Sequence, residues 1–401
     1  MEIRPILSAM LRNKTGAVLI ALQIAVTLAV VTNAAHIIKQ RLDLIGRPTG
    51  LDVAHIFQVQ SVDFAEHVSF RERVRADLEL LRGLPGVRAA TAIGSMPLSG
   101  GGSATEHYVE AGQDESRVAA NYFTIDEQGL ETLGVKLVAG RDFRPEDVDF
   151  YESTSGKLPA SIIVTDVLAK RLFPNGNALG ATVYDGLGQP QAIIGIVEHM
   201  HGSWVDAERV DEVVLRPQIY DGNFVRYAVR TEPGRRDEVM AVVEQKLTAL
   251  DPQRVVRGVR SLEEIASDSY GADRAMAILL TTVIALLIAV TALGIVGLAS
   301  FSVKSRTKQI GTRRAIGASR PDIIRYFMVE NWLITTGGVA LGSALAVALN
   351  LWLVRTFELP KLEIVYIPLG IAALWLLGLL AVLGPARRAA SIAPAIATRT
   401  V

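Results

Sequence analysis

The 401-residue chain contains no cysteine. That single absence excludes disulfide frameworks, thiolate zinc sites and cysteine nucleophiles. Net charge is absent too: 41 basic residues cancel 41 acidic ones, which excludes a nucleic-acid binder carried by bulk charge. No phosphate-binding loop is present. The Gly156-Lys157 pair has Tyr151 where the first glycine of that motif belongs, and Leu158 rather than Ser or Thr follows. The chain therefore does not hydrolyse ATP by that route. Gly100-Gly101-Gly102 lacks the strand-to-helix setting of a dinucleotide site and reads as a flexible loop. No Gly-x-Ser-x-Gly elbow organises the serines. His199 and His201 flank Met200 and point to one side, but no third ligand is evident, so a strand-end loop is favoured over a metal site. His55, His67 and His107 are isolated. No catalytic, cofactor-binding or metal residue is assigned.

What is present is hydrophobicity in blocks. Half of the residues are hydrophobic and mean hydropathy is +0.32, between the values of soluble and membrane-embedded chains. Residues 15–38, 275–303, 331–354 and 364–386 contain no Asp, Glu, Lys or Arg. Each is long enough to span a bilayer, which needs about 20 apolar residues. The first could be a cleaved signal peptide after Arg4, Arg12 and Lys14, but its apolar run is longer than usual and residues 32–36 make a weak cleavage site. A retained helix is expected.

Basic residues set the orientation. Arg4, Arg12 and Lys14 crowd the terminus 1–14. The loop 304–330 carries Lys304, Arg306, Lys308, Arg313, Arg314, Arg320 and Arg325, and the tail 387–401 carries Arg387, Arg388 and Arg399. The segment 39–274 holds 26 basic and 36 acidic residues. Both termini and the loop 304–330 are thus expected in the cytoplasm, with 39–274 and the short loop 355–363 outside. The sequon Asn13-Lys14-Thr15 then has no meaning. Charged groups are absent from the spans, which argues against a proton- or ion-coupled carrier. Gln23 is expected to make an interhelical hydrogen bond.

The segment 39–274 mixes strand and helix periods and reads as an α+β domain. Helix signals lie at 70–81, at 167–173 behind Asp166 as N-cap, at 238–250, and at 261–270 behind Ser261. Strand signals lie at 87–93, 161–165, 192–197, 213–216 and 224–230, and mobile loops are expected at 98–103 and 155–158. The first span is expected to continue to about Leu44, and both flanking helices to rise out of the membrane as a stalk. In the third span Gly338, Gly342 and Ala346 recur every four residues, a small-residue face for close packing; Ala285, Ala289 and Gly297 offer a similar face in the second.

The loop 304–330 is the most informative segment. Ile310, Ala315 and Ile316 alternate with Arg313 and Arg314, a pattern for a short amphipathic helix at the membrane surface. Topology-setting charge with lipid headgroup contacts is the plainer alternative. The run Arg306-Thr-Lys-Gln-Ile-Gly-Thr-Arg-Arg-Ala-Ile-Gly-Ala-Ser-Arg320 resembles the signature after the second span of the MacB-like/FtsX-like ABC permeases, departing from it at Gln309 and Thr312. Pro385-Ala-Arg-Arg-Ala-Ala-Ser-Ile-Ala-Pro394 resembles the family's ending. Tyr122-Phe123, Leu133-Gly134-Val135, Gly140-Arg141-Asp142-Phe143, Ala169-Lys-Arg-Leu-Phe-Pro174, Leu179-Gly180 and Ile194-Gly-Ile-Val197 resemble its external motifs, in order.

The resemblance implies an α-helical membrane protein of four transmembrane helices with a large extracytoplasmic α+β domain between helices 1 and 2. It implies a permease subunit in the bacterial inner membrane with no nucleotide-binding domain of its own, ATP and Mg being held by a separate ABC ATPase subunit. That ATPase would dock on Arg306, Lys308, Ile310, Gly311, Arg313, Arg314, Ala315, Gly317 and Ala318, with Gly311, Ala315, Gly317 and Ala318 as a small contact face and the arginines meeting carboxylates. A second permease chain, identical or paralogous, would pair with it. A periplasmic adaptor and membrane lipids are further expected partners, and nucleic acid is not. ATP-driven movement of the external domain would expel a small molecule or peptide from the periplasmic side. Regulation of a cell-wall hydrolase, lipoprotein release, and a membrane-anchored binding protein without an ATPase are the other readings.

Overall fold

A computed structural model describes residues 14–64, 69–110, 117–151, 156–357 and 359–393. Expectations for Ser155, Arg399 and the N-terminal Arg4 and Arg12 lie outside these residues. The chain divides into two compact units, one of residues 44–272 and one of the flanking segments.

The helical unit contains four helices long and apolar enough to cross a membrane: α1 (Lys14–Ile45), α7 (Gly271–Ser305), α9 (Arg320–Phe357) and α10 (Tyr366–Ala390). The short α8 (Thr307–Ala315) joins α7 to α9. Helix α1 is the hub. The face Gly338, Gly342, Ala346 of α9 lies against it: a Cβ built on Gly342 would sit 2.9 Å from Ala25 Cα, and one on Gly338 would sit 2.9 Å from the Ala21 carbonyl oxygen. Backbones approach this closely only where side chains are missing. Asn33 Nδ2 then donates to the Ala346 carbonyl at 3.1 Å. Helix α7 runs antiparallel to α1 and touches it at separated points: Arg41 to Asp273 at 2.8 Å, Thr27 Oγ1 to Thr291 Oγ1 at 2.8 Å, and Gly16 under Leu298. Gln23 lies over Gly294. Ala285, Ala289 and Gly297 of α7 are exposed, as are Ile278, Leu286, Val290 and Leu293.

The other unit has an α+β fold. One sheet has the order β12 (Arg254–Ser261), β1 (Ile56–Asp63), β11 (Phe224–Thr231), β2 (Val87–Ala92), all antiparallel. Helices α2 (Phe70–Gly83) and α5 (Arg236–Leu250) cover one face, where Val74, Leu78, Leu81, Val243 and Leu247 meet Phe57, Val59 and Tyr227. Under this layer Arg254 pairs with the fully buried Asp77, whose other oxygen accepts from Tyr227 Oη at 2.7 Å.

The second sheet closes on itself. Its strands β4 (Val118–Ile125), β3 (Ser103–Tyr108), β8 (Thr182–Asp185), β9 (Pro190–Val197), β7 (Ser161–Thr165) and β10 (Val213–Tyr220) follow one another, and β10 pairs back onto β4 in parallel. Short β5 (Leu137–Gly140) and β6 (Asp149–Tyr151) attach outside the ring. Cross-strand partners share a face, so the register assigns the barrel interior. Val118, Ala120, Ile162, Val164, Val183, Ile193 and Val214 fill it, and helix α4 (Asp166–Leu172) contributes Leu168, Ala169 and Leu172 to the same cluster. The outer face packs Phe123, Ile163, Val213 and Leu215 against Ile56 and Ala228 of the first sheet and Leu130 and Leu133 of α3 (Gly129–Leu133).

Two local expectations change. Thr165, not Asp166, occupies the N-cap of α4, because β7 runs directly into the helix. The described part of loop 155–158 is tied down: Gln189 bonds Leu158 N and the Gly156 carbonyl, and Gln218 donates to the Lys157 carbonyl at 3.3 Å. Ser261 caps α6 (Leu262–Ser269) in a reciprocal capping box with Glu264.

Candidate coupling site

Helix α8 is short and has little intrinsic stability, so its position depends on contacts with its neighbours. Ile310, 5% exposed, and Gly311 turn inward, and Ile310 joins a cluster with Ile323 and Phe327 of α9. Just before α8, Arg306 Nη1 donates to both carboxylate oxygens of Glu330 at 3.0 Å and to Tyr326 Oη at 3.3 Å. Arg313 lies with its guanidinium 4.9 Å from the centre of the Tyr326 ring, a cation–π contact on an exposed side chain. Arg314 has a role that no local pattern announces. Its Nη1 donates to the Ala390 and Ile392 carbonyls, each at 2.9 Å. A guanidinium there satisfies orphan carbonyls and the negative end of the α10 dipole. Arg314 therefore braces the bundle, and its fork is not presented outward.

The Ile-Gly-Ala-Ser run is a tight reversal between two helices. Ala318 N bonds the Arg313 carbonyl at 3.0 Å and Gly317 N the Arg314 carbonyl at 3.2 Å, the Schellman pairing, with Gly317 at φ +105°. Ser319 then caps α9: its N–H donates to Asp322 Oδ2 at 3.0 Å, and Asp322 N returns a bond to Ser319 Oγ at 3.4 Å.

The outward face consists of Lys308, Thr312, Ala315 and Ile316, spaced four, three and one residues apart on one side of α8, with Arg313 and Gly317 beside them. Ile316 is 82% exposed. The expected small face is thus divided: Gly311 is buried, Ala318 is half-buried, and Ala315 and Gly317 are exposed. Ile316 and Thr312 join it. The available signal for Ile316 was a large aliphatic residue six positions after Ile310, off the inward stripe that the helical period sets.

In the other unit, His199 and His201 rings meet edge to face at 5.0 Å. His199 Nε2 contacts the Pro48 carbonyl at 2.7 Å, and His201 is buried. Among the described residues no group of three or more His, Cys, Asp or Glu is placed to hold a metal ion.

Four spans, an α+β domain inserted between the first and second, and a braced basic helix after the second define a membrane permease of the inserted-domain type. Residues 17–246 match the family described as MacB-like periplasmic core domain, and residues 281–394 match the FtsX-like permease C-terminal family. The chain belongs to the MacB-like/FtsX-like ABC transporter permease family. It is 27% identical over 293 residues to the macrolide export ATP-binding/permease protein MacB of Chromobacterium violaceum, covering 69% of this chain and 43% of that protein. It is 23% identical over 287 residues to the uncharacterized ABC transporter permease YknZ of Bacillus subtilis, covering 67% of each. The chain thus spans less than half the length of that MacB relative. The crystal structure of the periplasmic region of MacB from Actinobacillus actinomycetemcomitans aligns at a TM-score of 0.33 and 17% identity, over 52% of this chain and 90% of that one.

Proposed function

We propose that this chain is the permease subunit of an ATP-driven exporter, with α8 as the element that receives force from a separate ABC ATPase. The observation that carries this reading is the contrast between the two sides of α8. Its inner side is fixed to α9 through Arg306–Glu330 and to α10 through Arg314, whereas Lys308, Thr312, Ala315 and Ile316 have no partner helix among the described residues. A push on that face reaches two membrane helices at once. In this reading α8 faces the cytoplasm, 39–274 the periplasm, and two permease chains pair. The domain then moves substrate on the periplasmic side, an adaptor being a further partner. The name of the MacB relative makes a macrolide the first substrate to try.

The test is ATPase stimulation and drug export in reconstituted vesicles with the cognate ATPase. Ile316→Glu and Lys308→Glu should each lower both by tenfold or more while leaving the permease inserted and folded. Reversing a contact charge or burying a carboxylate at a desolvated contact costs several kcal/mol, on the order of 2–5. Full stimulation by both variants would refute the docking face. Topology is read independently in this cysteine-free chain. Gly101→Cys should react with an impermeant external reagent and Ser305→Cys should not, and the reverse pattern would sink the orientation.

A further inference from the structure

The closed barrel carries an unusual group of side chains at one end of its interior. His107 pairs across strands with Asp185, and Asp185 belongs to the same inner face as Val183 and Gln191. Arg216 and Gln218 continue the inner face that Val214 begins on β10. All five are nearly inaccessible: His107 is 0% and Arg216 3% exposed. Yet both ring nitrogens of His107, Nε and Nη2 of Arg216, and Oε1 of Gln191 and of Gln218 have no well-formed hydrogen bond among the described residues. A buried guanidinium with two of its nitrogens unpartnered is costly for a fold to hold. Its main described contact is the Tyr122 ring, 4.4 Å away. Asp185 is within electrostatic reach but makes no ion pair with it, and its Oδ1 is taken by Leu187 N and Gln189 N at 3.1 and 2.9 Å.

The unpartnered atoms have a pattern. Nε and Nη2 lie on one edge of a guanidinium and donate in parallel, the fork that matches the two oxygens of a carboxylate. Neutral His107 adds one N–H donor and one acceptor. Burial and the nearby Arg216 both keep it neutral, pushing its pKa down to about 3 against a weaker opposing pull from the Thr105 backbone. The two glutamine oxygens can accept from a hydroxyl or amide on the same ligand. We infer that this end of the barrel is a binding site for a small monocarboxylate, held by the Nε–Nη2 edge of Arg216 with His107 beside it. Asp185 nearby disfavours a doubly charged anion. At the same end the Gln191 and Gln218 amide nitrogens donate to the Pro159 and Lys157 carbonyls, which fixes both amides while their oxygens keep no partner among the described residues. The site is independent of α8 and of the ATPase.

Acetate titrated calorimetrically into the full-length protein in nanodiscs, with ionic strength held constant by chloride, tests this. Saturable binding is expected. Arg216→Lys should weaken it at least tenfold, because lysine keeps the charge and loses the fork, and Arg216→Gln should abolish it. Phosphate should bind at least tenfold more weakly than acetate. His107→Leu, which leaves Arg216 in place, should weaken acetate several-fold and serves if the Arg216 variants do not fold. No saturable acetate binding to the wild-type chain would overturn the inference. So would undiminished binding by Arg216→Gln or by His107→Leu, or phosphate binding more tightly than acetate.

Discussion

Replacing Gly342 by leucine should loosen the helical unit from its centre. The Cβ alone would stand 2.9 Å from Ala25 Cα, 3.0 Å from the Ala25 carbonyl oxygen and 3.0 Å from Leu28 Cβ. Two of those three atoms are backbone of α1 and cannot rotate aside. Ordinary carbon contacts begin near 3.5 Å, so even alanine forces α9 and α1 apart by several tenths of an ångström, and leucine by more. Overpacking of this kind costs about 1–3 kcal/mol. Separation also stretches the Asn33–Ala346 hydrogen bond two turns away in α1, at 3.1 Å in the native bundle. Interhelical bonds in membranes contribute about 0.6–2 kcal/mol. Gly342→Leu should therefore cost about 2–4 kcal/mol, and Gly342→Ala about 1. Gly337 supplies the internal control. It is little more than one turn away on the same helix, exposed, and a Cβ there would meet nothing within 4 Å. Unfolding of the full chain in detergent, followed by emission of Trp332 and Trp375, which stack at 6.4 Å, reads the difference. Equal midpoints for Gly342→Leu and Gly337→Leu would refute the close approach of α9 to α1.

Arg306→Ala should destabilise the same unit by about 3 kcal/mol, since it leaves Glu330 buried and unpaired; Arg306→Met with Glu330→Leu should recover most of that loss in the same fluorescence assay. Asp77→Ala should cost the domain about 3 kcal/mol, since it removes the close partner of buried Arg254 and leaves it Asp251 at 3.8 Å, whereas Tyr227→Phe, which removes one hydrogen bond to Asp77, should cost about 1 kcal/mol, both read from melting of the full chain. Acidification should destabilise the domain through its histidines. His107 is pushed down to about 3 and His201 to about 4, chiefly by burial, so between pH 6.5 and 4 the unfolded chain binds protons that the folded one refuses. Stability contributed by these groups is present above pH 6.5 and falls with pH below it. A double variant, His107→Gln with His201→Gln, should flatten that limb of a melting-temperature-against-pH curve, and an unchanged slope would contradict the neutral burial of both rings.

The spans were readable because lipid imposes one rule on every residue, and uncharged apolar runs of more than twenty residues are seldom found outside a bilayer. Ser261 with Glu264 three residues on likewise marks a helix start by local chemistry alone. The face of Gly338 and Gly342 follows from the helical period, but its occupant, α1, lies more than 300 residues earlier in the chain, where no local pattern points to it. The barrel was hidden for the same reason. Its closing pair, β4 with β10, joins segments separated by helices α3 and α4, and barrel strands such as Ser103–Tyr108 alternate too weakly to stand out. Around α8, the charge pattern distinguished the loop from its surroundings but could not divide its arginines. Arg313 and Arg314 are adjacent and identical in sequence terms. One lies exposed over Tyr326 and the other closes the end of α10.

The thin attachment of α7 bears on how this sequence can change over time. A helix pressed on all sides accepts few replacements, because volume and shape must both be kept. Thr291 and Asp273 of α7 meet α1 and Ile295 joins the buried cluster of the helical unit, whereas residues such as Ile278, Leu286, Val290 and Leu293 are outward. At those positions any apolar residue serves equally well in the monomer, so drift there is nearly free. Substitutions along the outer side of α7 should accumulate without effect on the fold until a second protein surface is laid against it. Constraint found there in a mutational scan, beyond the need to stay apolar, would therefore register contacts made outside this chain.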